Sequence, residues 1–356
     1  MDELIVVTAG QNERLNATLR FALCGVPHET VAARDALQKL AGRRVLFALA
    51  ADEAGMDAET FHLIAALRRN PDAMEGAVAG VLLDGAGELY TKQTADQLVL
   101  AANLAGCLFP GRPLVEATGS LGNWHVQAKR RNVEPAEAYR LAARELVLRL
   151  AEFKAPRFAK PKLLMLHASD RATSNTLQIG SSVCEKLRGR FGVRELSLQN
   201  GTIYDCRGCS FTTCSHYAAQ NSCFYGGSIV SEGYPALTEC DALLLLCPNY
   251  NDSVSANIMA FINRLTSLIV FNPLHDKYLF AVVVSGYSGG DLVAQQALGA
   301  LCLNKAFMLP PRFCLLQTAN DPGDAMDSEG MGARIEAFAE NIKKTVLVPP
   351  AGETAG

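Results

Sequence analysis

The stretch CDALLLLCPNYNDSVSANIMAFINRL (240–265) is the clearest guide to the fold of this chain. It begins with an apolar run and is interrupted at Pro248, whose ring removes a backbone donor and ends a strand. A polar turn follows, and from Ser253 onward apolar residues recur on one helical face. These residues are Ile258, Phe261, Ile262 and Leu265. The stretch therefore predicts a buried strand, a turn and an amphipathic helix.

The same alternation runs through the whole second half of the chain. The predicted strands are Leu163–His167, Val193–Leu198, Ala242–Cys247, Phe280–Ser285 and Phe313–Thr318. The predicted helices lie near 174–188, 254–269, 290–307 and 331–347. Apolar strands separated by helices indicate a parallel sheet that is covered on both faces. Five such strands predict a flavodoxin-like, doubly wound α/β domain.

The first half repeats this pattern more weakly. LIVVTAG (4–10) resembles LLMLHAS (163–169), and VAGVLLDG (78–85) resembles CDALLLLC (240–247). TADQLVLAANLAG (94–106) is placed opposite SANIMAFINRLTS (255–267), with Ala95 on Ala256. Matches in the same order predict an internal duplication, and hence two five-stranded domains.

Length and composition agree with two domains. The chain has 356 residues, of which 49% are hydrophobic and 19% charged, with a net charge of −3. This balance points to neither nucleic acid nor a membrane as a partner. The start, MDELIVVTAGQN, lacks the basic residues of a secretory signal, and no apolar run approaches about 20 residues. We therefore expect a cytoplasmic protein.

The predicted boundaries follow from local composition. Residues 1–153 form the first domain, and KAPRFAKPK (154–162), with two prolines and four basic residues, is the predicted linker. Residues 163–347 form the second domain. The small, polar tail 348–356 is predicted to be loose.

The loop after the first strand of the second domain, ASDRATSNTL (168–177), is a candidate phosphate site. It offers hydroxyls, an amide and a guanidinium, beside the backbone N–H groups of a helix start. The alternative interpretation is an ordinary helix N-cap, which Ser and Thr favour. The candidate ligands are Ser169, Arg171, Ser174, Asn175 and Thr176.

Two further loops follow neighbouring strands, where doubly wound sheets bind their ligands. In the loop after 242–247, Tyr250 can lie against a flat ring, and the candidates are Pro248, Asn249, Tyr250, Asn251 and Ser253. The loop SGYSGGD (285–291) allows close backbone approach, and its candidates are Gly286, Tyr287, Gly289 and Gly290. Plain strand–turn–helix connections are the alternative for both loops.

Together these loops resemble the NADPH-dependent FMN reductase and iron–sulfur flavoprotein branch of the flavodoxin-like superfamily, over residues 163–345. The first loop matches the phosphate motif of that branch with Ala168 in place of its usual glycine. The second motif is matched by Pro248, Tyr250, Ser255, Phe261 and Arg264, while Cys247, Met259 and Asn263 depart from it. The resemblance implies an FMN whose phosphate lies in the first loop and whose ring lies between the other two.

The first domain departs from this pattern. It has Gly87-Glu88-Leu89-Tyr90 where the second has Pro248–Asn251, and its third loop is TGSLGNW (118–124). We interpret it as a degenerate copy that has lost its flavin. One hypothesis makes it a substitute for the second subunit of a flavin reductase dimer, with Trp124 or His125 near the flavin. The alternative is a purely structural half, and a homo-oligomer also stays open.

Four of the eleven cysteines, Cys206, Cys209, Cys214 and Cys223, cluster with the spacing Cys-x2-Cys-x4-Cys-x8-Cys. The other seven, at 24, 107, 184, 240, 247, 302 and 314, are expected to be small core residues. Three interpretations of the cluster compete. These are a [4Fe–4S] cluster, as in iron–sulfur flavoproteins, a structural zinc with or without His216, and free or redox-active thiols such as Cys206 and Cys209.

These observations predict an FMN-dependent oxidoreductase. Electrons come from NAD(P)H, as a transient cosubstrate, or from a protein donor, and leave to a quinone, a flavin or another acceptor. If the clustered cysteines hold a [4Fe–4S] cluster, it is a second centre. No protein acid or base is assigned a catalytic role, because the flavin carries the chemistry. The alternatives are a non-enzymatic iron–sulfur/flavin electron carrier between protein partners and a flavin-binding sensor.

Overall fold

The computed structural model describes residues 3–55, 57–169, 173–199 and 203–349. The chain divides into two compact units, Met1–Lys154 and Ala155–Gly356. Each unit is an α/β domain with one five-stranded parallel sheet, so the predicted fold class is confirmed. Within the described residues, no helix is both long enough and apolar enough to cross a membrane.

The first unit alternates strands and helices. Its strands are β1 (Leu4–Ala9), β2 (His28–Ala32), β3 (Arg44–Ala51), β4 (Val78–Gly85) and β5 (Leu114–Ala117). Its α-helices are α1 (Glu13–Ala22), α2 (Ala33–Ala36), α3 (Ala58–Arg69), α4 (Thr91–Leu104), α5 (His125–Arg131) and α6 (Pro135–Glu152). The sheet order is β2-β1-β3-β4-β5, which is the flavodoxin-like order.

The second unit repeats this order as β7-β6-β8-β9-β10. Its strands are β6 (Lys162–His167), β7 (Gly192–Ser197), β8 (Ala242–Pro248), β9 (Tyr278–Ser285) and β10 (Cys314–Thr318). Its α-helices are α7 (Asn175–Leu187), α8 (Phe211–Ala218), α9 (Tyr234–Glu239), α10 (Ala256–Leu268), α11 (Gly290–Leu298), α12 (Asp324–Asp327) and α13 (Met331–Val346). A π-helical turn, Gly299–Leu303, continues α11.

Burial explains why the strands of the second unit were predictable. All eight residues of β9 are buried, and β8 is buried up to Pro248, because helices cover both faces of the sheet. The helix α10 buries Ile258, Phe261 and Leu265, as its apolar face predicts. The carboxyl ends of β6, β8, β9 and β10 lie along one edge of this sheet because all its strands are parallel.

The register of the duplication differs from the prediction. In the first unit Val78 bridges Leu108 and Val81 pairs with Leu114, and in the second Tyr278 bridges Met308 and Ala281 pairs with Cys314. The two sets are offset by 200 residues, so β4 is the counterpart of β9, and α4 of α11. The predicted matches of 78–85 with 240–247 and of 94–106 with 255–267 are therefore wrong by one strand. Buried parallel strands have nearly interchangeable compositions, so only their pairing partners show which position each strand has in its sheet.

The loop correspondence shifts accordingly. The counterpart of Pro248–Asn251 is 50–53, at the end of β3, whereas Gly87–Tyr90 is the counterpart of the loop after β9. The segment TGSLGNW follows β5 and is thus the counterpart of the loop after β10.

The segment predicted as a linker is tied to the second unit. Phe158 donates its N–H to Val346 O at 2.8 Å and accepts from Val348 N at 3.1 Å. The Tyr278 hydroxyl donates to Pro156 O at 2.8 Å. Residues 156–158 thus pack on the end of α13 and on β9.

Candidate functional site

A polar cleft of about 560 Å³ lies at the carboxyl edge of the second sheet. This volume is within the range of small-molecule sites, roughly 300–1,000 Å³. Eight of the predicted site residues line it, namely Ser169, Ser174, Asn175, Thr176, Pro248, Asn249, Tyr250 and Gly286. The cleft therefore joins all three predicted loops.

Three hydroxyls meet at the start of α7. Ser174 Oγ donates to Ser169 Oγ at 3.1 Å and lies 3.1 Å from Thr176 Oγ1. Ser174 occupies the N-cap position, yet its side chain makes no capping hydrogen bond. The N-cap interpretation therefore does not account for this hydroxyl. The cluster faces the N–H groups of a helix N-terminus, which is a favourable place for an oxyanion. Arg171 lies outside the described residues.

A buried histidine holds the start of this loop. The imidazole Nδ1 of His167 accepts from Ser169 N at 3.2 Å, and its Nε2 lies 3.0 Å from Glu195 Oε1. Because Nδ1 is an acceptor, Nε2 carries the proton and donates it to the carboxylate. His167 thereby positions Ser169.

Asn175 has a different role from the neighbouring hydroxyls. Its Nδ2 donates to Asp321 O at 2.9 Å, and its Oδ1 accepts from Gly323 N at 2.9 Å and Ala325 N at 3.3 Å. The amide is thus used to hold the loop after β10 against the cleft. That loop contributes Ala319, Asn320 and Pro322 to the lining, and it is not among the three predicted loops. In the sequence, the only feature that could have indicated this loop is a polar turn after the last predicted strand.

Asn249 joins the second loop to the third. Its Nδ2 donates to Ser285 Oγ at 2.8 Å, to Ser288 O at 3.1 Å and to Asp252 Oδ1 at 3.2 Å. Its Oδ1 is buried and has no hydrogen-bond partner among the described residues. An unsatisfied buried acceptor in a cleft calls for a donor from a ligand.

The second and third loops also contain residues with left-handed backbone conformations. Asn251 and Asp252 are left-handed, with φ of 53° and 57°, and Gly289 has φ of 85°. A Cβ at Gly289 would lie 1.9 Å from Asp252 Oδ1, so only glycine fits there. A Cβ at Gly286 would lie 3.0 Å from Asn320 Oδ1.

Some predicted site residues belong to these loops without lining the cleft. They are Asn251, Ser253, Tyr287, Gly289 and Gly290. Tyr250 and Tyr287 are 59% and 82% exposed, so both rings are available at the surface.

The four clustered cysteines line a second, largely apolar pocket of about 310 Å³. Phe211, Tyr217, Phe224 and Tyr225 complete its walls, and Arg264 of α10 belongs to its lining. Burial and the neighbouring thiolates of Cys223, Cys206 and Cys209 raise the pKa of Cys214. Within the described part of the chain, no group of three or more His, Cys, Asp or Glu side chains is arranged to hold a metal ion.

The remaining cysteines are buried, with one exception. Cys107, Cys184, Cys240, Cys247, Cys302 and Cys314 are buried, as expected. Cys24 is exposed, so its assignment to the core is wrong. Cys24 lies after the end of α1 and is therefore not part of the buried face of that helix.

The corresponding edge of the first sheet is filled by its own side chains. Arg14 Nε donates to Asp84 Oδ2 at 2.9 Å, and its Nη2 donates to Asp84 Oδ1 at 2.9 Å. The same guanidinium donates to the carbonyl groups of Gly85, Thr118 and Gly119 at 2.9–3.1 Å. Nearby, Glu88 accepts from Ser120 N at 2.5 Å, and this hydrogen bond lowers the pKa of Glu88.

Residues 161–321 match the family described as NADPH-dependent FMN reductase. The NAD(P)H:quinone oxidoreductase from Methanothermobacter marburgensis is 14% identical, over 52% of this chain and 97% of that one, with a TM-score of 0.41. RosB with a bound riboflavin-phosphate intermediate is 13% identical, over 52% and 78%, with a TM-score of 0.43. An azoreductase from Bacillus anthracis str. Sterne is 12% identical, over 52% and 97%, with a TM-score of 0.37. No curated protein matches the chain.

The family match spans every strand of the second sheet and all of the cleft lining except Pro322. It confirms the predicted resemblance and the prediction that the protein is an oxidoreductase enzyme. The chain is thus similar to the NADPH-dependent FMN reductase family over residues 161–321.

Proposed function

We propose that the second unit binds FMN in the polar cleft and uses it to oxidise NAD(P)H and reduce a small acceptor such as a quinone or a flavin. The observation that carries this proposal is the cleft itself, where a hydroxyl cluster at a helix N-terminus and an unsatisfied amide oxygen face one space. Bound FMN supplies the chemistry, by accepting a hydride and releasing electrons.

The hydroxyls of Ser169, Ser174 and Thr176 are proposed to hold the phosphate of FMN. These hydroxyls are hydrogen-bonded to one another. The oxygen atoms of a bound phosphate can accept hydrogen bonds from them in place of these mutual ones. The N-terminus of α7 adds backbone donors and a favourable dipole for a dianion. Asn175 fixes the loop after β10 beside them.

The ring of FMN is proposed to lie between the second and third loops. Gly286 lets the backbone approach it, and Asn249 Oδ1 accepts a hydrogen bond from its edge. The exposed Tyr250 is available to cover part of a flat ring. The predicted contacts of Asn251, Ser253, Tyr287, Gly289 and Gly290 are then indirect, because these residues shape the two loops.

An iron–sulfur cluster in the cysteine pocket is proposed as a second redox centre. Four thiols line one pocket, which has the composition of a Cys₄ site, although no three of the described ligands are arranged around a single ion. Such a cluster would supply one-electron transfer.

Helix α10 links the two sites. Its N-cap, Ser255, follows the second loop of the cleft, and Arg264 lines the cysteine pocket. These residues are nine positions apart on one helix, roughly 14 Å along its axis. A flavin and a cluster held at the two ends of this segment are close enough to act together.

The test is anaerobic purification followed by a visible spectrum, assays of iron, zinc and sulfide, and NADH and NADPH oxidation with a quinone acceptor. Ser174→Ala removes a hydroxyl from the phosphate site, and Ser182→Ala, further along α7, is the matched control. Loss of a hydrogen bond to a charged group costs about 1.5–3 kcal/mol, so we expect a roughly 10–100-fold weaker FMN affinity for Ser174→Ala.

The outcomes separate the candidate functions. FMN binding with turnover by NAD(P)H supports the enzyme. FMN and iron in a protein that no nicotinamide reduces would favour the electron carrier. A protein that takes up no FMN, or one in which both serine variants bind FMN equally well, would contradict the proposed site.

A further inference from the structure

We propose that His167 fixes the loop after β6 in an orientation in which Ser169 offers its hydroxyl, and not its backbone N–H, to the phosphate of FMN. Glu195 holds the imidazole in the tautomer that this orientation requires. The inference rests on the proposed function, because it concerns the same cleft. His167 is not part of the cleft lining, so it is a positioning residue.

His167 is held at both its backbone and its side chain. It is the last residue of β6 and is 2% exposed. Its carbonyl accepts from Leu198 N at 2.7 Å, and its imidazole Nδ1 accepts from Ser169 N at 3.2 Å. A side-chain acceptor that bonds the N–H two residues further along closes a turn, as Asn and Asp do in Asx turns. The imidazole therefore sets the first turn of the loop.

Glu195 decides which nitrogen of His167 carries the proton. It lies on the edge strand β7, opposite Met165 of β6, and its Oε1 is 3.0 Å from His167 Nε2. A carboxylate only accepts, so Nε2 donates and Nδ1 keeps the lone pair that the N–H of Ser169 requires. The Glu195 side chain is 55% exposed, whereas the imidazole is 3% exposed. The tautomer is thus set by a surface residue that can be replaced without disturbing the core.

The hydroxyl cluster shows which donor Ser169 has left. Ser174 Oγ donates its single proton to Ser169 Oγ, so its contact with Thr176 Oγ1 must be one that it accepts. The proton of the Ser169 hydroxyl is not used among these three groups, and the backbone N–H of Ser169 is bound to His167. The Ser169 hydroxyl is therefore the first donor of this cluster that is available to a phosphate oxygen.

An orientation that is fixed in advance favours binding. A loop that already has its bound conformation loses less conformational freedom when the ligand binds, so the ordering costs less. The effect is confined to the phosphate, because the ring of FMN is proposed to lie between the other two loops. Removing the Nδ1 acceptor should therefore weaken the binding of FMN but not that of riboflavin, which has the same ring and lacks the phosphate.

The experiment measures the dissociation constants of riboflavin and FMN with the full-length, deflavinated protein, and compares the ratio of the first to the second. His167→Gln retains a donor near the position of Nε2 but has no acceptor at the position of Nδ1, so we expect this ratio to fall roughly tenfold. His167→Asn places an amide oxygen where Nδ1 lies and can close the same turn, so we expect it to retain most of the preference for FMN. His275→Gln is the matched control, because His275 is exposed and precedes β9, at the opposite end of the sheet.

Two further measurements test the role of Glu195. Nitrogen-15 NMR of the histidine-labelled protein should show a neutral imidazole that is protonated at Nε2, and this signal should disappear in His167→Gln. A proton on Nδ1 of His167 would overturn the proposal. Glu195→Leu leaves the imidazole in place but no longer fixes its tautomer, so we expect a smaller decrease of the ratio, by about threefold.

A lower ratio in His167→Gln, with riboflavin affinity unchanged and His167→Asn close to the wild type, supports the proposal. Equal ratios in wild type and His167→Gln overturn it, and so does an equal decrease in His167→Asn. Tighter binding of FMN by His167→Gln also overturns it, because the freed N–H would then bind the phosphate better than the hydroxyl does.

The remaining outcomes separate this inference from a folding defect and from the proposed function. An equal loss of affinity for both flavins in His167→Gln overturns the inference, since the phosphate is then not involved. If His167→Gln does not fold, as shown by circular dichroism, an unchanged ratio in Glu195→Leu overturns it. A wild type that binds neither flavin overturns the proposed function together with this inference, whereas every other contrary result leaves the flavin site itself intact.

Discussion

Asp84 and Val284 occupy equivalent positions in the two units, one residue before the end of β4 and of β9. Val284 lines the polar cleft of the second unit. Asp84 is fully buried and bound by Arg14, the second residue of α1. The residue at the same position of α7 is Thr176, whose hydroxyl belongs to the phosphate cluster. The sheet edge that forms an open cleft in the second unit is therefore occupied by an ion pair in the first unit.

This difference predicts one FMN per chain. A phosphate in the first unit would have to displace Arg14 from Asp84 and leave a buried carboxylate beside a dianion, which is strongly unfavourable. Titration of deflavinated protein with FMN, followed by isothermal calorimetry, should therefore saturate at one equivalent. Saturation at two equivalents would show that the first unit keeps a flavin site.

The same ion pair should stabilise the first unit. Arg14→Met removes the cation from the buried Asp84, to which the Asn12 amide still donates at 2.7 Å. Breaking a buried pair costs about 3–5 kcal/mol, and because the Arg14 side chain is 30% exposed we expect a loss near the lower end. Trp124 is the only tryptophan, and it packs near Tyr139 in the first unit, so its fluorescence reports on the unfolding of this unit. We expect a lower urea midpoint in this signal.

Arg34→Met is the matched control for that variant. Arg34 and Asp35 form an ion pair whose side chains are 74% and 68% exposed, and such pairs contribute about 0–1 kcal/mol. Equal urea midpoints for Arg14→Met and the control would mean that the buried pair contributes no more than a surface one.

Asp96 should make the stability of the first unit depend on pH. Burial raises its pKa from 3.8 to about 7, with a smaller contribution from Glu116. The folded state then holds this proton more tightly than the unfolded state, so stability is lost as the pH rises from about 4 to about 7. Asp96→Asn removes the penalty. It should stabilise the unit by about 1–3 kcal/mol at pH 8, after allowance for partial exposure, and have little effect at pH 4.

Urea unfolding of both proteins at the two pH values, followed by Trp124 fluorescence, measures this difference. The exposed Asp35→Asn serves as the control, for which we expect no such pH dependence. A stability gain of Asp96→Asn that is the same at pH 4 and pH 8 would rule out the titration of Asp96 as its cause.

Gly289→Ala should weaken FMN binding although Gly289 does not line the cleft. An alanine Cβ there would lie 1.9 Å from Asp252 Oδ1, at a φ of 85° that side chains rarely adopt. The Asp252 carboxylate must be displaced, and Asn249 contacts both Asp252 and Ser288. We expect FMN affinity to fall by roughly tenfold or more, as loss of one good hydrogen bond would cause.

Gly332→Ala is the matched control for the loop variant. Gly332 lies in α13 with open space around its Cβ position, so alanine should leave FMN affinity unchanged and raise helix stability slightly. An affinity for FMN in Gly289→Ala equal to that of this control would show that the third loop does not shape the flavin site.

The strands and the three loops could be predicted because their signals are local. The run Tyr278–Ser285 is apolar at almost every position, and burial on both faces of a parallel sheet requires this. The positions of β4 and β9 in their sheets could not be predicted from the residues of these strands alone. It depends on pairing partners such as Leu108 and Met308, which lie thirty residues further along the chain.

The same distinction explains what the site prediction missed. The role of Asn175 depends on the loop at 321–325, more than 140 residues away, and no spacing in the sequence indicates that contact. Likewise Arg14 and Asp84 are separated by 70 residues, and the sequence near either residue does not indicate that they form an ion pair. Arg264 was noted as a motif position, but its burial beside the cysteine pocket depends on the packing of α8 against α10.

Replacing one clustered cysteine should distinguish the three interpretations of that cluster. Cys214 lies on α8 and, like the other three, lines the pocket, so Cys214→Ala removes one of four ligands. If the pocket holds a [4Fe–4S] cluster, reconstituted Cys214→Ala should lose most of its iron and sulfide and the broad visible absorption, while keeping FMN. Cys24→Ala, which changes an exposed thiol of the first unit, should retain all three. Zinc without sulfide in the wild type would assign a structural metal instead, and neither metal would leave the four residues as free or redox-active thiols.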